Sequence, residues 1–266
     1  MKKRMGLPKA YLVFLLLAMY LPIVLVVIYS FNVSKLSSVW TGTTLNWYRA
    51  LFRDRDMFEA LRNSLVLATV SSCAAAVIGT LGAFGASRVK LPFSGSMEYL
   101  SMLPIMIPEI ILGMVFLAFF SLIGLPFGMT TLIIAHTAFN IPYVFLMVKA
   151  RLAGFDNSLY DAARDLGAGE VRTFLDITLP LIFPAILSGM LLSFAMSFDD
   201  VIISVFVTGV NTNTLPIKIY SQIKTGVTPK TNALCSLLFA ATVLLGFLSV
   251  IASRGGKRQK NKKTEE

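Results

Sequence analysis

Three carboxylates, Glu109, Asp199 and Asp200, stand inside long apolar runs that contain no Lys or Arg. A charged carboxylate at the centre of a bilayer costs about 2.5 to 3.5 kcal/mol on insertion scales, so each needs a wet cavity or a cationic partner. The chemistry on offer is the accommodation of a cation, since nothing in the same runs would hold an anion. Other readings stay open: Asp199 and Asp200 as a helix cap at the outer interface, and Glu109 as half of a structural pair with another subunit. Tyr220, Trp47 and Phe198 present ring faces that suit an ammonium group, and they equally suit an interfacial belt or ordinary packing. His136, set among Thr and Phe, reads as a neutral, hydrogen-bonded packing residue.

Six apolar runs are long enough to carry these groups into a membrane. A hydrocarbon core of roughly 30 Å takes about 20 helical residues. The runs are about Ala10–Phe31, Ser64–Ser87, Tyr99–Ile123, Met129–Val148, Leu181–Val207 and Ala233–Ser253. Hydrophobic residues make up 56% of the chain and charged ones 14%, and the mean hydropathy of +0.74 excludes the ordinary soluble balance. The expectation is an all-α integral membrane protein of six spans. The first run, preceded by Lys2, Lys3 and Arg4, is too long for a secretory signal core and no small-x-small site follows it, so it is expected to stay as a span.

Glu109 falls about ten residues, or roughly 15 Å, into the third run. That places it near mid-membrane, just after Pro104 and Pro108, which free backbone carbonyls and bend a helix. Leu181–Val207 would be roughly 40 Å long if straight, more than one span needs. A break is expected near Asp199 and Asp200, as in interrupted helices that line membrane cavities. Ala75, Gly79, Gly82, Ala83 and Ala86 in the second run, and Ala185, Gly189 and Ser193 in the fifth, form small-residue surfaces. Such surfaces let a neighbouring backbone approach, from this chain or from a second membrane subunit.

Lys and Arg in the connections set orientation. Sixteen of the 24 lie on the side that holds both termini and residues 149–180, against eight on the other, which predicts cytoplasmic termini and a cytoplasmic 149–180 segment. The net charge of +10 then belongs to topology and anionic lipid, the basic tail Lys257–Lys263 included, and no nucleic-acid partner is expected. Cys73 and Cys235 have no spaced partners, so neither a disulfide framework nor a metal site is expected. No G-x4-G-K-[ST] phosphate loop occurs and Gly255-Gly256-Lys257 fails its spacing, so no cofactor and no ATP chemistry are expected on this chain.

Between the fourth and fifth runs lies a polar segment, Asp161–Pro180, DAARDLGAGEVRTFLDITLP. Ser158 with Asp161 three residues on suggests a capping box, and Leu159, Ala162, Ala163 and Leu166 fall at i, i+3, i+4, i+7. Gly167 is a natural stop, and a second short helix is expected over Glu170–Ile177 before Pro180 opens the fifth span. Asp161, Asp165, Glu170 and Asp176 make the segment a poor match for anionic headgroups. A protein partner is the better reading.

The register of Asp161-Ala162-Ala163, Gly167, Ile177 and Leu179-Pro180 resembles the E-A-A-x3-G-x9-I-x-L-P loop of bacterial ABC-importer permeases, with Asp161 in place of glutamate. The resemblance implies a type I importer permease (MetI-like) fold. It assigns Asp161, Ala162, Ala163, Leu166 and Gly167 to a coupling helix that docks on an ATPase subunit. Four further segments are similar to the PotC-type permeases of spermidine/putrescine importers: FNVSKLSSVWTGTTLNWY (Phe31–Tyr48), MIPEIILG (Met106–Gly113), SFDDVIISVFVTG (Ser197–Gly209) and LPIKIYSQIKTGVTPKTNAL (Leu215–Leu234). That likeness implies polyamine transport by alternating access in a bacterial cytoplasmic membrane. It puts Tyr220 in an external loop near a pathway shared with Glu109, Asp199 and Asp200. The implied partners are an ATPase dimer carrying ATP and Mg, a second homologous permease of the PotB type, and an extracytoplasmic polyamine-binding protein. The implied organisation is a helix and external loop over 1–62, a permease domain over 63–253 with its coupling loop at 151–180, and a basic tail over 254–266. A permease for ferric ion or a small organic compound would share the loop without needing these acids. A channel or membrane scaffold would need no such loop.

Overall fold

The computed structural model of the protein describes residues 6–35, 39–88, 94–154 and 156–262. Lys2, Lys3, Arg4, Lys90 and Lys263, counted above for orientation, lie outside the described residues. Among the described residues the regular structure is helical: α1 Gly6–Tyr29, α2 Asn46–Phe52, α3 Arg55–Arg88, α4 Ser94–Met106, α5 Glu109–Leu122, α6 Met129–Ala153, α7 Asn157–Asp165, α8 Glu170–Thr173, a π-helical segment Phe174–Thr178, α9 Leu179–Asp199, α10 Ile202–Val207, α11 Leu215–Thr225 and α12 Pro229–Lys262.

Among the described residues four stretches are long and apolar enough to cross a membrane: Lys9–Tyr29, Arg55–Arg88, Met129–Ala153 and Glu170–Asp199. Tyr99–Met106 with Glu109–Leu122 make a fifth when taken as one broken span. The sixth expected run, Ala233–Ser253, lies within α12. The third run, expected to bend near Pro104 and Pro108, is broken more sharply, because its halves meet at 109°. Pro108, at φ −54° and ψ 134°, is extended and has no N–H to give, so the chain must turn and start a new helix at Glu109. The polar segment also differs from expectation. Its second helix is continuous with the fifth span, running from Glu170 through the π turn, where Leu179 N–H reaches Phe174 O. Pro180 cannot donate to the preceding turn, and a wider π turn there absorbs the missing bond.

The helices form two units, residues 1–55 with 221–266, and Asp56–Tyr220. In the first, α12 packs on both α1 and α2. Buried Asn32 organises the loop after α1: its Nδ2 donates to Val39 O at 2.7 Å and its Oδ1 accepts Thr41 N–H at 3.1 Å.

In the second unit α6 is central, packing against α9, α4 and α10. A Cβ at Gly79 of α3 would sit 2.9 Å from Val144 Cβ and 3.0 Å from Ile141 O. One at Gly189 of α9 would sit 2.9 Å from Val144 Cα. Both small-residue surfaces are therefore used inside this chain, closing α3 and α9 onto the same turn of α6. Ala75, Ala83, Phe145, Val148 and Ile182 fill the space between them. A second apolar core of Leu67, Leu112, Phe120, Leu132, Phe139 and Ile203 holds α3, α5, α6 and α10 together.

Candidate functional site

The breaks in the third and fifth apolar runs lie against each other. α9 ends at Asp199, Asp200 is extended at φ −66° and ψ 130°, and α10 resumes at Ile202. α5, restarting at Glu109, packs along α10. Gly113 makes that approach possible, since a Cβ there would lie 2.5 Å from Phe206 Cδ2. Between the breaks is a cavity of about 270 Å³ lined by Glu109, Met196, Asp199, Asp200, Val201 and Ile202. Among the described residues its lining carries three carboxylates and no Lys or Arg.

The three carboxylates occupy different electrostatic positions. Asp200 Oδ2 accepts Ser204 N–H and Ser204 Oγ–H, each at 2.8 Å, and its Oδ1 accepts Ile203 N–H at 3.3 Å. It thus caps the start of α10. Its other neighbour is His136, whose Nε2 lies 3.4 Å from Oδ2. Glu109 is the first residue of α5, where the positive end of the helix dipole favours a carboxylate. Asp199 is the last residue of α9, at the negative end, where a carboxylate is disfavoured, and it is exposed.

Behind the cavity runs a buried polar network. His136 Nε2 is 3.0 Å from Ser204 Oγ, and its Nδ1 is 3.1 Å from Ser197 Oγ. Asn140 Nδ2 donates to Ser197 Oγ at 2.7 Å, and Ser71 Oγ lies 3.0 Å from the same hydroxyl while donating to Leu67 O. His136 and Ser197 are almost wholly buried, as are Ser71 and Asn140, so these bonds form in a setting where unmet polar groups are costly. His136 has the hydrogen-bonded packing role expected of it. Ser71, Asn140 and Ser197 were not singled out from the sequence, although His136–Asn140 and Ser193–Ser197 mark one polar face at i, i+4 on otherwise apolar helices.

The aromatic candidates lie elsewhere. Tyr220 is on α11, 42% exposed and not among the residues lining the cavity. Trp47 gives its indole N–H to Asn32 O at 2.7 Å. Phe198 stacks on Phe194 at 6.0 Å between centroids.

In the polar segment, α7 is capped by Asp156, upstream of the expected Ser158. Asp156 Oδ1 accepts Ser158 N–H at 2.9 Å, and the bonds from Ser158 hold its carboxyl below the usual carboxylate range. The stop lies where expected. Gly167 takes φ +85° and its N–H reaches Arg164 O at 2.9 Å, while Ala168 N–H reaches Ala163 O at 3.0 Å, the paired bonds of a Schellman turn. Ala163 is buried against its own chain; Asp161, Ala162 and Leu166 are exposed, Leu166 at 89%. With Val171 at 73%, Leu166 leaves an apolar surface uncovered on a segment between spans.

Residues 75–258 match the family described as "Binding-protein-dependent transport system inner membrane component". The chain is 37% identical over 236 residues to the spermidine/putrescine transport system permease protein PotC of Haemophilus influenzae, covering 89% of this chain and 92% of that one. It is 41% identical over 239 residues to the putrescine transport system permease protein PotI of Escherichia coli K12, covering 87% and 85%. In fold it is similar to a bacterial ABC transporter involved in import of the acidic polysaccharide alginate, with a TM-score of 0.71 at 13% identity, covering 94% of this chain and 95% of that one. The family match over residues 75–258 and the relatives at 37% and 41% identity make the chain a member of the binding-protein-dependent transport system inner membrane component family, the membrane permeases of ABC importers.

Proposed function

We propose that the chain is the PotC-type permease of a polyamine importer, and that its cavity between the broken helices is a station for a polycation. The observation that carries this reading is the lining itself: Glu109 and Asp199 open to the cavity, and no Lys or Arg lies among its residues to neutralise them. Tight binding is not needed for passage. Two carboxylates in a partly wet cavity supply a few kcal/mol to a dication, enough to admit it and little enough to release it. Asp200, held by Ser204 and His136, shapes the cavity and fixes the break beside Asp199.

In this proposal both termini and the 151–180 loop are cytoplasmic, following the sixteen-to-eight distribution of Lys and Arg. Asp161, Ala162 and Leu166 face a subunit of an ATPase dimer that holds ATP and Mg, and Gly167 and buried Ala163 set the shape of the helix that presents them. A PotB-type second permease and an extracytoplasmic polyamine-binding protein complete the importer, and Tyr220 stands on the outer side near the entrance. The division into a leading helix with its external loop over 1–62, a permease domain over 63–253 and a basic tail over 254–266 belongs to the same proposal. The test is ATP hydrolysis by the assembled complex with its binding protein, given spermidine, putrescine, ferric ion or a neutral organic solute. Stimulation by the polyamines alone supports the reading; stimulation by ferric ion or the neutral solute alone removes it.

A further inference from the structure

The last two turns of α3 touch both ends of the polar loop. Phe84 and Arg88 are four residues apart and share a face of the helix. The Arg88 guanidinium carbon lies 3.8 Å from the centroid of the Tyr160 ring on α7, and 5.9 Å from that of Phe84. Phe84 in turn meets Phe174, the first residue of the π turn, at 4.5 Å between centroids. A planar guanidinium over an aromatic face is an oriented contact, which an ammonium reproduces only in part. The coupling helix is thus tied to the end of α3 as well as to α9, with which its loop is continuous.

α3 is a single helix of 34 residues without an internal proline. Seventeen residues, roughly 26 Å of helix, separate Arg88 from Ser71. Ser71 is 3.0 Å from Ser197, two positions before the Asp199 that opens to the cavity. We infer that Arg88, seated on Tyr160, is the positioning residue that makes α3 a second lever from the coupling loop to the cavity, so that movement of α7 is delivered to the break at Asp199 from two sides. The inference rests on the reading of the loop as the ATPase contact. A path of this kind is demonstrated by coupling, not by proximity.

The experiment uses the complete complex in proteoliposomes, measuring ATP hydrolysis and solute uptake together for Arg88→Ala, Tyr160→Leu, Tyr160→Phe and the Arg88→Ala/Tyr160→Leu pair. Arg88→Ala and Tyr160→Leu are expected to hold hydrolysis within about twofold while solute moved per ATP falls about fivefold or more, with the pair no worse than either alone, as for residues acting through one contact. Tyr160→Phe keeps the ring and is expected to keep the wild-type ratio. Unchanged ratios in Arg88→Ala and Tyr160→Leu, or equal loss in Tyr160→Phe, would overturn the inference. Trypsin cleavage after Arg164 and Arg172 in membranes holding the chain alone reads the joint without the ATPase. Faster cleavage in Arg88→Ala supports it, and wild-type rates in both Arg88→Ala and Tyr160→Leu contradict it. A wild-type complex without ATP-driven uptake would instead count against the proposed function, leaving the cleavage comparison to decide the joint.

Discussion

Asp199 and Asp200 are adjacent in the chain and opposite in role: Asp200 folds back to cap α10 through Ser204, while Asp199, ending α9, is left open to the cavity. The division follows from where each helix stops. Ile202 begins α10 two residues after Asp200, so only Asp200 reaches the free N–H groups of that first turn.

That division predicts separable phenotypes. Asp200→Ala leaves Ser204 N–H, Ser204 Oγ–H and Ile203 N–H without their acceptor and should lower stability by about 1 to 3 kcal/mol. Asp199→Asn should leave stability unchanged. Thermal unfolding of the purified chain in detergent checks both, and equal destabilisation by the two changes would contradict the assignment.

The close approaches on α6 predict opposite signs for similar substitutions. Gly189→Ala drives a methyl to 2.9 Å from Val144 Cα, a backbone atom that cannot step aside. Overpacking of that kind costs about 1 to 3 kcal/mol. Gly85→Ala, with nothing within 4 Å, should be neutral or stabilising by up to about 1 kcal/mol through helix propensity. The melting temperature should fall for Gly189→Ala and stay level or rise for Gly85→Ala.

At Gly167 the strain is conformational alone, since a Cβ there would meet nothing within 4 Å while φ is +85°. Gly167→Ala should cost about 1 to 2 kcal/mol and speed exchange of the Ala168 N–H by roughly 5- to 30-fold. Gly167→Asn should do less, because asparagine tolerates the left-handed region. Hydrogen exchange of peptides covering α7 tests the order Gly, Asn, Ala. An unchanged Ala168 rate in the alanine variant would show that the Schellman turn is not held by this residue.

Orientation is testable in whole cells. With Cys73 and Cys235 replaced, a cysteine at Ser158 should be protected from impermeant thiol reagents, while one at Val210, 95% exposed in the connection after α10, should react. Labelling at Ser158 from outside would reverse the topology.

Much of this arrangement was legible in the sequence where its cause is local. Pro108 announces a break because it lacks an N–H, and Leu181–Val207 announces one because it is too long for a single span. Gly167 marks its own stop in the Asp161-to-Pro180 segment, where it takes φ +85°. Less was legible where partners are distant in the chain. His136 and Asp200 are 64 positions apart, Ser71 and Ser197 are 126 apart, and nothing near either serine says that they share a hydrogen bond. Pro108 in the sequence indicates a bend but not the 109° turn, because a proline fixes the loss of one bond and not the direction of the next helix. Periodicity gives α7 its apolar stripe without saying which neighbour covers it, and Ala163 is covered by its own chain.

The central claim, that the cavity passes a polycation past Asp199 and Glu109, is tested most directly by uptake of labelled spermidine and putrescine in proteoliposomes holding the complete importer. Asp199→Asn and Glu109→Gln should each slow uptake about tenfold or more, corresponding to about 1.4 kcal/mol of lost stabilisation, at unchanged complex assembly and unchanged melting temperature. Wild-type uptake rates in both neutral variants would contradict the claim and leave the cavity a structural feature of the fold.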